Sequence, residues 1–207
     1  MHGEQELVRR ARAGDQDAFS SLVSLYESRI YSLALRYLGN RDDAQDAAQE
    51  VFLRVFRFLS GFQEESSFST WIYRIAVNVC KDLLMQKSRR AEQPLEQQDE
   101  NDEDYELPLP DERYAPEKVF ESAQLRKTLC DAILVLPEAQ RRIIILRDIQ
   151  GLSYDEIGEI LSLELGTVKS RIARARGNLR KILLQTGNIS SLSLSNPAKG
   201  GESDANL

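Results

Sequence analysis

Residues Ala91 to Pro116, AEQPLEQQDENDEDYELPLPDERYAP, hold ten acids against one base, Arg113, together with four prolines. Such a stretch repels itself, carries no amphipathic period and buries too little apolar surface to order itself. It therefore reads as a disordered acidic linker between two folded units. The whole chain carries a net charge of -6, so removing the linker's -9 leaves the remainder near +3. The final stretch, TGNISSLSLSNPAKGGESDANL, is rich in Ser, Asn and Gly and reads as a flexible tail. The expected division is a first unit over 1–90, the linker over 91–116, a second unit over 117–185 and the tail over 186–207.

Both units read as helix. Asp15 is placed to cap a helix that puts Phe19, Leu22, Val23, Tyr26, Ile30, Leu33, Ala34, Tyr37 and Leu38 on one face, ended by Gly39-Asn40. Asp42 is expected to cap a second, with Ala44, Ala48, Val51, Val55 and Leu59 at spacings of three and four before Gly61. After the loop GFQEESSF, Ser69 or Thr70 is expected to start a third, buried through Ile72, Ile75, Ala76, Val79 and Leu83. Past the linker, Pro116 and Pro137 each suit a first helical position. Ser153 and Glu156 form a capping box, and a long helix is expected from near Thr167. No segment alternates at period two with β-branched enrichment, so the expected fold is all-α, two small helical domains joined by the flexible acidic linker.

Several function classes fall away on composition. No run of about eighteen apolar residues exists to span a bilayer. The start, MHGEQELVRRARAGD, has no hydrophobic export region, so a cytoplasmic location is expected. Two cysteines, Cys80 and Cys130, are too few for a disulfide scaffold and read as small hydrophobes. With His2 the only imidazole, neither a metal site nor histidine-based catalysis is expected, and no cofactor is implied.

From Gly166 to Leu184 the sequence GTVKSRIARARGNLRKILL carries Lys169, Arg171, Arg174, Arg176, Arg180 and Lys181 and no acid. Val168, Ile172, Ala175, Leu179 and Ile182 form its packing stripe, so the cations project from the other faces. Preceded by a capped helix and the turn Ser162-Leu163-Glu164, this is a helix-turn-helix whose second helix fits a DNA major groove. Ser170 adds a hydroxyl to that face. Gly158 and Ser162 occupy places where such motifs usually carry a small Ala and a turn Gly.

The third helix of the first unit presents Arg74, Asn78 and Lys81 in one row, either a reading face for nucleic acid or a solvated polar face. Trp71 reads as core first and as a platform for an unpaired base second. Ser66, Ser67 and Phe68 suit either a pocket for a flipped base or the start of a helix. The acidic series Asp42, Asp46 and Glu50 lacks the Glu-x-x-His companion of a metal bundle and points to a protein-contact surface, with Phe52 and Phe56 beside it.

Four stretches together resemble one family: GDQDAFSSLVSLYESRIYSLALRYLGNRDDAQDAAQEVFLRVFRFL, FSTWIYRIAVNVCKDLL, LPEAQRRIIILRDIQGLSYDEIGEIL and GTVKSRIARARGNLRK. The family is the bacterial sigma-70 factors of RNA polymerase, in their extracytoplasmic-function (ECF) subfamily. The resemblance implies a region 2 domain, a linker and a region 4 helix-turn-helix domain. It implies that Asp46, Gln49, Glu50, Phe52 and Arg54 grip the clamp helices of the polymerase's largest subunit, with the flap of the second-largest subunit as a further contact. Ser66, Ser67, Phe68, Trp71, Arg74, Asn78 and Lys81 would melt and read the minus-ten element. Arg147, Thr167, Lys169, Ser170, Arg171 and Arg174 would read the minus-thirty-five element, Arg147 at a phosphate. Core polymerase, promoter DNA and an anti-sigma factor are the implied partners, for a chain that is monomeric when free and catalyses nothing.

Two features depart from the family pattern. Many members carry a basic residue and then Gly after the loop's first aromatic, where this chain has Gln63 and Glu64. Ala173 occupies an outward position of the recognition helix that carries a larger side chain in some members. The alternative reading is a stand-alone helix-turn-helix regulator binding operator DNA as a dimer, though no heptad seam is present to supply the dimer. A helical adaptor that binds only protein is a further alternative.

Overall fold

A computed structural model describes residues 2–91 and 116–185. The helices are α1 (His2–Arg12), α2 (Gln16–Leu38), α3 (Arg41–Phe58), α4 (Phe68–Ala91), α5 (Pro116–Val135), α6 (Glu138–Ile144), α7 (Tyr154–Leu161) and α8 (Leu165–Gln185). A 3-10 turn, Leu59–Gly61, follows α3, and a π turn, Ile145–Ile149, follows α6. No strand occurs among the described residues. The expected linker and tail fall on residues outside the described ones, apart from Ala91, which ends α4, and Pro116, which starts α5.

Short polar side chains set the starts of α2, α3, α4 and α7 by accepting from the otherwise unpaired first N–H groups. Asp15 accepts from Ala18 N at 3.0 Å, as expected. The cap of α3 is Asn40 rather than Asp42: its Oδ1 accepts from Asp43 N at 3.0 Å, while Gly39, at φ 76, closes α2. Gly39 and Asn40 thus end one helix and start the next, which leaves Asp42 in the first turn of α3. The cap of α4 is likewise earlier than expected, because Ser67 Oγ accepts from Thr70 N at 3.0 Å and the helix begins at Phe68. The capping box of α7 forms in both directions, Ser153 N to Glu156 at 2.7 Å and Glu156 N to Ser153 Oγ at 3.2 Å. The last helix begins two residues before Thr167, at Leu165.

In the first unit α2 packs on α1, α3 and α4, and α3 on α4. The expected stripes are buried at Leu22, Tyr26, Ile30, Leu33, Ala34 and Tyr37 of α2 and at Ala44, Ala48, Val51 and Val55 of α3. Helix α4 is buried on more than the expected stripe: Tyr73, Val77 and Cys80 join Ile72, Ala76 and Val79 in the core. Burial pushes the Cys80 thiol up to about 12, so it stays protonated and packs as a hydrophobe. In the second unit α8 lies on α5, α6 and α7, with Val168, Ile172 and Ala175 buried.

The two units are docked, and their buried residues form one continuous cluster from Val8 to Ala175. Helix α2 meets α5 and the π turn, and α4 meets α7. Arg141 donates to the Tyr37 carbonyl at 2.7 Å, and the Tyr37 hydroxyl donates to Glu138. The Tyr73 hydroxyl donates to Gln150 Oε1 at 3.0 Å, and Gln150 Nε2 donates to Arg29 O at 3.4 Å. A Cβ added to Gly39 would lie 3.0 Å from the Leu134 methyls, so this turn admits the second unit closely because it lacks a side chain.

Candidate nucleic-acid interface

The second unit presents its cations from a rigid frame. Ser162 adopts φ 53 and ψ 54, the left-handed turn a glycine would supply, and its N–H bonds Gly158 O. A Cβ on Gly158 would sit 2.9 Å from Leu163 O, so a glycine is required where the usual motif holds Ala. The turn then delivers α8 with Val168 and Ile172 inward and Lys169, Ser170, Arg171, Ala173 and Arg174 exposed. No ion pair neutralises Lys169, Arg171 or Arg174 among the described residues, whereas Arg176 is held bidentately by Asp148 of the π turn. Thr167 is half-buried, and its carbonyl accepts from Ser170 Oγ at 3.0 Å. Arg147 lies 4.7 Å over the Tyr154 ring and donates to Leu152 O at 2.6 Å. That guanidinium stiffens the approach to α7.

In the first unit, the loop before α4 and the first turns of α4 border an open-sided cleft of ≈520 Å³. Its walls include Phe62, Gln63, Ser66, Trp71 and Arg74, together with Glu159 of α7. Trp71 packs on the core and also lines the cleft, its ring 4.9 Å from Phe62 and 5.8 Å from Phe68. Arg74 is half-buried, and its Nε is enclosed without an acceptor. A buried donor left unpaired is costly, so an incoming phosphate or base oxygen would relieve it. Asn78 and Lys81 continue the row, both exposed. Phe68 does not line the cleft: it is buried, edge-on to Tyr26 at 5.5 Å and to Phe62 at 6.0 Å. Ser67 is engaged as the α4 cap and with Thr70 Oγ1 at 2.8 Å, which leaves Ser66 as the serine on the cleft.

Glu64 stands at φ 59 with its carboxylate paired to Arg12 of α1. It is absent from the cleft wall, where Glu65 stands instead. A glycine at this place would fit that backbone without strain, whereas Glu64 holds it against its Cβ with help from Arg12.

A third surface runs along α3. Asp46 and Gln49 are exposed, and Leu53 and Phe56 continue their row with 52% and 62% of their surface in water. Large apolar side chains exposed beside polar ones mark a contact surface. Phe52 is half-buried against the core, and Phe56 stacks edge-on to Phe19 at 5.1 Å. Glu50 and Arg54 turn toward α4: Arg54 donates to Glu50 at 2.6 Å and lies 3.5 Å from Asp82. The hydrogen bond to Glu50 raises the Arg54 pKa further, so its charge is permanent. Leu53, Phe62 and Glu159 escaped the sequence reading. Leu53 sits on the same helical row as Asp46 and Gln49, a signal available in the spacing, but nothing in sequence announces Glu159 at a cleft of the other unit.

Comparison with known proteins agrees with both units. The Sigma-70 region 2 family matches residues 22–90 and the Sigma-70 region 4 family residues 127–179. An ECF RNA polymerase sigma-E factor of Haemophilus influenzae is 40% identical over 174 residues, covering 84% of this chain and 91% of that protein. The ECF RNA polymerase sigma factor SigW of Bacillus subtilis is 39% identical over 178 residues, covering 85% and 94%. CnrH, solved with the cytosolic domain of CnrY, shares the fold at a TM-score of 0.63 and 24% identity, over 88% of this chain and 98% of that one. RpoE of Bartonella quintana, solved with the anti-sigma factor NepR, does so at 0.62 and 22%, over 80% and 96%. With relatives of this similarity spanning both helical units, the chain belongs to the ECF sigma factors of RNA polymerase.

Proposed function

We propose that this chain is the promoter-specificity subunit of a bacterial RNA polymerase, acting in the cytoplasm by binding and making no bond itself. The exposed row Asp46, Gln49, Leu53 and Phe56 engages core polymerase, with Phe52 beneath it and the Glu50–Arg54 pair bracing α3 against α4. The flap of the second-largest subunit takes the second unit. Trp71, Arg74 and Ser66 accept an unpaired base of the minus-ten element, and Asn78 and Lys81 follow the strand beyond them. Lys169, Ser170, Arg171 and Arg174 enter the major groove of the minus-thirty-five element, with Thr167 at the helix start and Arg147 at a phosphate.

The observation that carries this reading is the presence in one chain of two different surfaces: unpaired cations on an outward helix, and a tryptophan-lined cleft with an unpaired arginine donor. Duplex DNA suits the first and single strand the second. A good bidentate base contact is worth about 1–3 kcal/mol, and each phosphate neutralised adds a log-log salt slope of about 0.9. Reading two elements multiplies modest discriminations into promoter choice. An anti-sigma factor that occludes these surfaces is the proposed control.

The test separates the surfaces. Changing Lys169, Arg171 and Arg174 together to Ala leaves co-elution with core polymerase intact and abolishes initiation at the cognate promoter. Changing Leu53 and Phe56 to Ser removes co-elution. Full initiation by the triple variant would overturn the assignment of α8.

A further inference from the structure

The loop between the 3-10 turn and α4 walls one side of the cleft, and it is held at few points. At its start Phe62 is buried, and its N–H donates to Leu59 O at 3.1 Å. At its end Ser67 caps α4. Between these posts Gln63, Glu65 and Ser66 line the cleft, yet none of the three makes a hydrogen bond among the described residues. Glu64 is the exception, since its carboxylate pairs with Arg12 across 52 positions of sequence. Helix α1, which carries Arg12, is a fixed base for that pair. Val8 is buried in the core, the Tyr26 hydroxyl donates to Glu4 at 3.0 Å, and Arg10 donates to Asp15 at 2.8 Å.

The pairing has a conformational cost. Glu64 stands at φ 59, which a glycine accepts freely and an L side chain does not. An exposed ion pair returns little stability, so the fold gains little from a glutamate in this turn. A strained residue of this kind, beside a cleft, points to a need for position. The left-handed turn sends the Glu64 carboxylate back to α1 and leaves its neighbours Gln63 and Glu65 on the cleft.

We propose that Arg12 and Glu64 are positioning residues of the cleft: their ion pair pins the loop so that Gln63, Glu65 and Ser66 present one fixed set of donors and acceptors to an unpaired base, and so sets how sharply one base is told from another. This role rests on the reading of the cleft as the minus-ten site. Bases differ in where their edges donate and accept, and a wall that wanders matches several of them equally. Neither Arg12 nor Glu64 lines the cleft, so the pair reaches the base only through its neighbours.

Holoenzyme reconstituted from core polymerase and the full chain transcribes a promoter found with the wild type, once with its minus-ten segment randomised and once with its minus-thirty-five segment randomised. Base preferences are read from the sequenced transcripts, and thermal melting is recorded for each variant. Arg12→Ala and Glu64→Gly are each expected to flatten the preference at one minus-ten position about tenfold, within the range of a good base contact. The Arg12→Ala/Glu64→Gly double variant is expected to flatten it no further, as for two residues acting through one bond. Both single variants lose the same preference although Glu64→Gly, freed of its backbone strain, melts higher than Arg12→Ala. Arg12→Lys keeps most of the preference, and minus-thirty-five preferences stay unchanged throughout. Arg74→Gln is the reference for the cleft itself. Unchanged minus-ten preference in Arg12→Ala and Glu64→Gly, beside a flattened one in Arg74→Gln, would overturn the positioning role and leave the reading of the cleft intact. Unchanged preference in all three variants would sink that reading and the proposal with it. Equal flattening at both promoter elements by Arg12→Ala would reduce the pair to a general support of the fold and also overturn the proposal.

Discussion

Arg141 donates to the backbone carbonyl of Tyr37 at 2.7 Å, across 104 positions of sequence. The same guanidinium donates to Leu134 O at 2.5 Å and Leu136 O at 3.3 Å, the last carbonyls before α6. One side chain thus closes the α5–α6 corner and fastens that corner to the first unit. Burial lowers its pKa somewhat, a tendency opposed by Tyr37 and Glu138 beside it, and it remains charged at neutral pH.

Arg141→Ala removes all three bonds and leaves carbonyls unpaired at a half-buried corner. The expected loss is about 2 kcal/mol of stability, in the range for hydrogen bonds to a charged group. Urea unfolding of the full chain checks it, and Arg141→Lys is expected to recover only part because one ammonium cannot span the fork.

At position 64 the backbone demands a left-handed conformation from a non-glycine residue. Glu64→Gly and Glu64→Ala both lose the Arg12 pair, so their difference isolates the backbone term. The glycine variant is expected to be about 1 kcal/mol more stable than the alanine variant, measured by thermal melting.

The helix-turn-helix holds the same logic twice. Ser162→Gly is expected to stabilise the chain by up to about 1 kcal/mol, since φ 53 suits glycine better. Gly158→Ala is expected to destabilise it by about 1–3 kcal/mol, because the new Cβ meets Leu163 O at 2.9 Å and the turn must shift. That shift moves α8, so promoter binding is expected to fall with stability in the second variant alone.

Most of the fold was legible because helices write their packing into a spacing of three and four. Leu22, Tyr26, Ile30, Ala48, Val51, Val55, Val168 and Ile172 were recognisable as core from that period alone. The caps were harder, since Asn40 and Asp42 are both good cap residues and only the left-handed Gly39 decides between them. The outward cations of α8 were legible because a packing stripe fixes the opposite face. The cleft was legible only in part: Trp71 and Arg74 were foreseen, but Phe68 turned inward because Tyr26 and Phe62 provide an aromatic pocket that no local pattern encodes. The docking of the units was not legible at all, because Tyr37, Glu138, Tyr73 and Gln150 read locally as ordinary helix residues.

Acid sensitivity has a definite sign at Asp15. Its bonds from Ala18 N and from Arg10 hold the carboxyl below the usual carboxylate range. A folded pKa lower than the unfolded one adds stability above the unfolded value and loses it as pH falls through the folded value. Asp15→Asn keeps a capping oxygen without the charge. The wild type is expected to be the more stable at neutral pH, and the two melting curves are expected to converge below the ordinary carboxylate range.

The most direct measurement is run-off transcription with core RNA polymerase freed of every sigma factor, on sheared DNA from the source organism, with transcript starts sequenced with and without this protein. The account predicts new starts that share two spaced upstream elements, present with the wild type and lost with the Lys169, Arg171 and Arg174 to Ala variant. Failure of the protein to co-elute with core polymerase, with no new starts, would contradict it.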